Sequence, residues 1–191
     1  MTASFKTIGF MVLSAAVLVT SVAPRGQAAA EGFTATAAVK TAGGASASAP
    51  VTITIDRKMS QREADTLTAA FKSGGAAALR KALVGVAPTG SVRIGAGGVT
   101  PTRFTIERPT GTGRLLTILT DQPLAFVGAG VPGAKAKEGY DFAVIDIEVD
   151  AKGSGSGTLA PAAKIKMNQN AFVVEDYGAE AVRLTAVTKT K

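Results

Sequence analysis

The sequence predicts an α+β, β-rich fold. It reads as a largely antiparallel sheet, closed as a barrel or folded as a sandwich, with one helical hairpin inserted between early strands. Three observations carry this. Apolar side chains recur at every second position through most of the chain beyond residue 30. Helical spacing is confined to one interval before residue 86. Strand-like runs follow one another through short turns, which makes neighbours antiparallel.

The clearest run is Phe142–Asp150. Ala143, Ile145, Ile147 and Val149 alternate with Asp146, Glu148 and Asp150, so one face is apolar and the other acidic. A Gly-Ser stretch to Gly157 follows, then an arm from Thr158 to Met167 with Leu159, Ala163, Ile165 and Met167 on one face and Lys164 and Lys166 on the other. The pattern predicts a hairpin whose acidic and basic outer rows pair across strands.

The earlier elements follow the same logic. Glu31–Lys40 alternates, with Phe33, Ala35, Ala37 and Val39 on one side. Thr41–Pro50 reads as a loop, and Val51–Asp56 as a strand of period two. Ser60-Gln61-Arg62-Glu63 has capping-box spacing and predicts a helix start. Ala64, Leu67, Ala70 and Phe71 then recur at helical spacing, and Ser73-Gly74-Gly75 ends or kinks that helix. A second short helix covers Ala76–Val84 and closes at Gly85. Strands are expected at Ser91–Ile94, Thr102–Arg108 and Arg114–Thr120, the last apolar on both faces and therefore central. Leu124–Val127, Ala171–Glu175 and Ala181–Val187 complete the set.

The first thirty residues read as a leader. Lys6 supplies a positive start, Ile8–Val22 is apolar, and Ala28-Ala29-Ala30 offers a small-x-small cleavage site with Ala28 and Ala30 at its key positions. The expected organisation is a Sec signal peptide over 1–30 and one β-rich domain over 31–191. The protein is then secreted or periplasmic after cleavage, and not transmembrane once processed. Removing Lys6 and Arg25 from 21 basic residues leaves 19 − 14 = +5. Between Arg57 and Arg114 ten Lys/Arg face three acids, whereas from Asp121 to Glu180 nine acids face five lysines. That asymmetry makes Arg93, Arg103, Arg108 and Arg114 candidates for a basic binding face toward an anionic envelope component. The Gly128–Gly139 loop is a second candidate contact surface.

Several function classes are excluded or disfavoured. The chain has no His and no Cys, which rules out Ser-His-Asp triads, thiol nucleophiles and the usual zinc sites. Gly128-Ala129-Gly130-Val131-Pro132-Gly133 matches a dinucleotide-binding spacing, but Pro132 intrudes and too few residues follow for a helix before the next strand. No catalytic residues, cofactor or metal are expected. Aromatic and basic residues do not interleave as a nucleic-acid platform requires, so nucleic acid is not an expected partner.

Val51-Thr52-Ile53-Thr54-Ile55-Asp56-Arg57, Gly74-Gly75 with Ala82-Leu83, Thr120-Asp121-Gln122-Pro123-Leu124-Ala125-Phe126, Gly157-Thr158-Leu159 with Lys164-Ile165-Lys166, and Val182-Arg183-Leu184-Thr185 together make most of Phe33–Val187 similar to an uncharacterised family of secreted, signal-peptide-bearing bacterial proteins. The resemblance implies no activity. That family is associated with an Arg before the Pro of the Thr-Asp-x-Pro segment. Gln122 stands there in this chain, so an anion contact made by that Arg would be absent. The expected role is an exported, non-enzymatic envelope or periplasmic protein, acting as a binding or structural module. The alternative is a small-ligand carrier whose β-barrel cavity holds an apolar molecule.

Overall fold

The computed structural model describes residues 30–40, 46–126, 138–169, 171–177 and 181–190. Ten strands and one helical element follow in chain order: β1 Glu31–Lys40, β2 Ser46–Ile55, α1 Gln61–Val84, β3 Gly90–Ile94, β4 Thr100–Thr102, β5 Phe104–Pro109, β6 Gly113–Leu119, β7 Phe142–Asp150, β8 Ser154–Asn168, β9 Ala171–Asp176 and β10 Val182–Lys189. All neighbouring strands are antiparallel.

The sheet order is β4-β3-β2-β1-β10-β8-β7-β6-β5, with β9 attached to β8. The two ends, β4 and β5, are one stretch of chain interrupted only at Arg103. Its first part pairs with β3 and its second with β6, so the sheet curls into a nearly closed barrel. The seam is stitched from both sides. Arg103 N–H donates to Leu119 O, and Met59 N–H donates to Thr105 O on the free side of β5. Beneath it, the buried hydroxyl of Thr89 bonds to those of Thr102 and Thr105 at 3.1 and 2.8 Å, which satisfies polar atoms that would otherwise be costly to bury.

Two cores result. The barrel interior is filled by Phe33, Val51, Ile53, Ile55, Val92, Leu116, Ile118, Ile145, Ile147, Leu159, Val182, Leu184 and their neighbours, none more than 9% exposed. The second core lies outside the barrel wall. There Ala64, Leu67, Leu79 and Leu83 of α1 pack on Phe104, Leu119, Phe142, Val144, Ala160, Ala163 and Phe172. Phe172 meets Phe71 and Phe104 edge to face at 5.6 and 5.3 Å between ring centroids. β6 is therefore buried on both faces over Leu116–Leu119, a run that only Thr117 interrupts.

The helix start is as the capping box predicts. Ser60 Oγ accepts the Glu63 N–H while the Glu63 carboxylate accepts the Ser60 N–H at 2.8 Å. The break falls on Gly74 and Gly75, the latter at φ +63, a conformation costly for a residue with a Cβ.

Three expectations need correction. Ser46–Pro50 belongs to β2, not to a loop, and pairs with β1 over the whole length of both strands. Small side chains hide its alternation, and pairing with β1 fixes its conformation. Leu124 and Ala125 are not strand residues, although Leu124 and Phe126 contribute to the interior core. Val127 lies outside the described residues.

The third correction concerns the β7–β8 register. The turn is tight: Asp150 Oδ1 accepts N–H bonds from Lys152 and Ser154 at 2.8 and 2.9 Å. β8 therefore begins at Ser154, inside the stretch read as a loop. Asp146 faces Thr158 and Glu148 faces Ser156, while Lys164 and Lys166 lie further along, paired with β9. Gly155 makes this register possible, since a Cβ there would sit 1.8 Å from Glu148 O.

Candidate functional site

The four arginines expected to form one basic face are distributed by the fold. Arg114, at the start of β6, reaches the barrel rim and joins a cluster with Glu31, Lys58, Glu107 and Lys189. It donates to Glu31 Oε2 at 2.6 Å and Oε1 at 3.1 Å, and to Glu107 Oε2 at 2.7 Å. Lys58 lies 2.9 Å from Glu31 and also pairs with Glu107, and Lys189 approaches Glu31 at 3.5 Å. The Arg114 guanidinium also stands 6.0 Å from the Phe33 ring centroid.

Glu31 is 8% exposed. The hydrogen bonds from Arg114, then Lys58, outweigh its desolvation and hold its carboxyl at about 2. The Lys58 and Arg114 cations are correspondingly stabilised: against desolvation, bonds to Glu107 and Glu31 raise Lys58, and bonds to Glu31 and Glu107 raise Arg114. This is a structural clasp joining the start of β1 to β5, β6, β10 and the segment after β2.

Arg103 is also consumed internally. Its Nε donates to Asp121 at 3.2 Å and Nη1 to Val86 O at 2.9 Å, tying the end of α1 to the turn after β6. Arg108 is exposed on β5, and its charge is felt by Asp146. Arg93 is exposed on the outer face of β3. Of the Gly128–Gly139 loop, only Glu138 and Gly139 are among the described residues. Ala28 is outside them, and Ala30 is exposed immediately before β1.

The carboxylates of β7 do not gather into a catalytic pair. Asp146 is pushed up by burial and partly held back by a 2.6 Å bond from Thr117 Oγ1, Glu148 accepts from Thr112 at 3.4 Å, and Asp150 closes the turn. Among the described residues no group of three or more acidic side chains is placed to hold a metal ion. No helix among them is long and apolar enough to cross a membrane.

A different surface emerges from the topology. β3, β2, β1, β10 and the first half of β8 are adjacent and are not covered by α1. Their outward positions carry Thr34, Thr36, Thr52, Thr54, Ser156, Thr158, Thr185 and Thr188 among other small residues, with the cations Lys40, Arg93 and Arg183. No outward carboxylate occurs on these strands until β7 contributes Asp146 and Glu148. Sequence reading missed this face because its cations stand at positions 40, 93 and 183, far apart in the chain. The signal available was the repeated Thr-x-Thr alternation in β1 and β2.

No family model, curated protein or solved structure matches the chain.

Proposed function

We propose that the protein is an exported, non-enzymatic module of the bacterial envelope or periplasm that binds an anionic envelope component through the outer wall of its barrel. The observation that carries this reading is the carboxylate-free face of five adjacent strands bearing Lys40, Arg93 and Arg183 among threonine and serine hydroxyls. A face of one charge sign attracts polyanions over a range set by ionic strength.

The packed interior favours surface binding over the carrier alternative. An eight-stranded ring either fills with side chains or holds one small ligand. Here the inward side chains are mostly Val, Ile and Leu with Phe33, Phe126 and a few alanines, none more than 9% exposed. The absence of His and Cys and the dispersal of the β7 carboxylates support a non-enzymatic role.

Retention of the protein on immobilised anionic lipid and anionic polysaccharide, at low and high salt, tests the reading. Retention at low salt that disappears at high salt is expected; no retention at low salt refutes it. Native mass spectrometry of protein recovered from the envelope separates the alternative, since a co-purifying small apolar molecule would favour a carrier.

A further inference from the structure

Resting on the surface-binding reading above, we propose that the cleft flanked by Lys40 and Arg183 is its binding site and that the ligand is an acidic polysaccharide. The cleft opens where the far ends of β1 and β2 meet β10 and β8, and has a volume of about 780 Å³. Besides the two cations it is lined by Val39, by the small side chains of Ala38, Ala47 and Ala181, and by the hydroxyls of Ser46, Ser48 and Thr158. Among the described residues no carboxylate lines it.

The register explains why the two cations converge. Ala38 on β1 pairs with Arg183 on β10, and Arg183 pairs with Thr158 on β8. Lys40 stands two residues beyond Ala38 on the same face of β1. One strand spacing across and two residues along place the cations about 8 Å apart at their backbones. Neither has an ion-pair partner among the described residues, in contrast to Arg103 and Arg114. The nearest outward acid in that row, Asp146, is two strands from Arg183 with Thr158 between them.

Two cations unpaired among the described residues, set in a concavity and flanked by hydroxyls that both donate and accept, match a chain bearing ionised groups among many hydroxyls. A lipid surface fits less well. The cleft is recessed, and the large hydrophobic side chains exposed among the described residues, Val84 and Val99, stand on other elements, at the end of α1 and in the β3–β4 turn. With no aromatic side chain lining the cleft among the described residues, recognition rests on charge and hydrogen bonds, so binding is weak per site and salt-sensitive.

The test measures binding of the full chain to polygalacturonate, neutral dextran and phosphatidylglycerol vesicles at low ionic strength, using Lys40→Glu, Arg183→Glu, Arg183→Lys and Arg62→Glu variants whose folding is checked by circular dichroism. Polygalacturonate binding is expected to fall about tenfold in Lys40→Glu and Arg183→Glu, because each replaces attraction by repulsion. It should recover in Arg183→Lys, change little in Arg62→Glu, whose exposed side chain lies on α1 away from the bare face, and exceed binding to dextran and vesicles. Unchanged binding in folded Lys40→Glu and Arg183→Glu overturns the cleft while leaving the basic-face reading standing. Vesicle binding as strong as polygalacturonate binding overturns the ligand class. Loss of all binding in the unmodified chain overturns the basic-face reading itself, and the cleft with it.

Discussion

The half of the barrel wall that carries α1 and the half that does not are built from the same alternating strands, yet their outer surfaces are opposite in character. On β5–β9 the outward positions bear Phe104, Leu119, Phe142, Val144, Ala160 and Phe172, which become a second core once the helix covers them. On β3, β2, β1 and β10 they bear threonines, serines and a few cations. The inner faces are alike in both halves. The difference teaches that the interior specifies the barrel, whereas the outer row of each strand decides whether a wall serves stability or remains available for contact.

The largest effects should come from the two cores, which can be struck separately. Phe33→Ala empties the interior and Phe142→Ala the helix-facing side, both fully buried, and each should cost about 4 kcal/mol in urea unfolding. A single transition in both variants is expected. If Phe142→Ala instead melted α1 in a separate earlier phase, the two halves would be independent folding units and the comparison would need redrawing.

Next is the clasp at the rim, which joins the halves. Glu31→Gln leaves Arg114, Lys58 and Lys189 around an uncharged amide and should cost about 3 kcal/mol at neutral pH. The Glu31 carboxyl titrates at about 2 in the fold against 4.5 in the unfolded chain. Its contribution is therefore complete above about pH 5 and fades as pH falls toward 2. Unfolding free energies of the two proteins, measured from pH 7 to pH 2.5, should converge at the acid end; a constant gap would place the loss in packing rather than charge.

A smaller loss belongs to the covered half alone. Ser60→Ala removes the cap of α1 and should cost about 1 kcal/mol, visible as a lower thermal midpoint. The smallest effect is expected on the bare half, where Thr36→Ala should stay within about 0.5 kcal/mol of the parent, since its side chain is exposed and covers nothing. A clear loss there would mean that the threonine rows support the wall.

Much of the fold was legible because its signals are local. β1 and β7 match their alternating runs end to end, and the capping box and Gly74-Gly75 break fall where the residues place them. What escaped was carried by residues without a local signal or by contacts distant in sequence. Ser46–Pro50 and Ser154–Gly157 look like loops because Ser, Ala and Gly are weak strand formers, yet the first is held along β1 and the second between β10 and β7. The choice of barrel over sandwich turned on Arg103 splitting one run between two partners. The site expectations failed to converge for a similar reason: Arg114 finds Glu31 across 83 residues, a pairing that no charge count along the chain reveals.

The seam at Arg103 also bears on self-association. A sheet joined to itself offers little unsatisfied backbone for a second molecule to extend. β9 stands off the ring, paired on one side to β8 alone. Phe172 is buried in the second core, so Val173 and Val174 are what this edge leaves half-covered, and Glu175 and Asp176 follow them at once, charges of the kind that discourage edge pairing. Asp176 also accepts from the Tyr140 hydroxyl at 2.7 Å, so the acidic end of β9 anchors the strand as well as charging its edge.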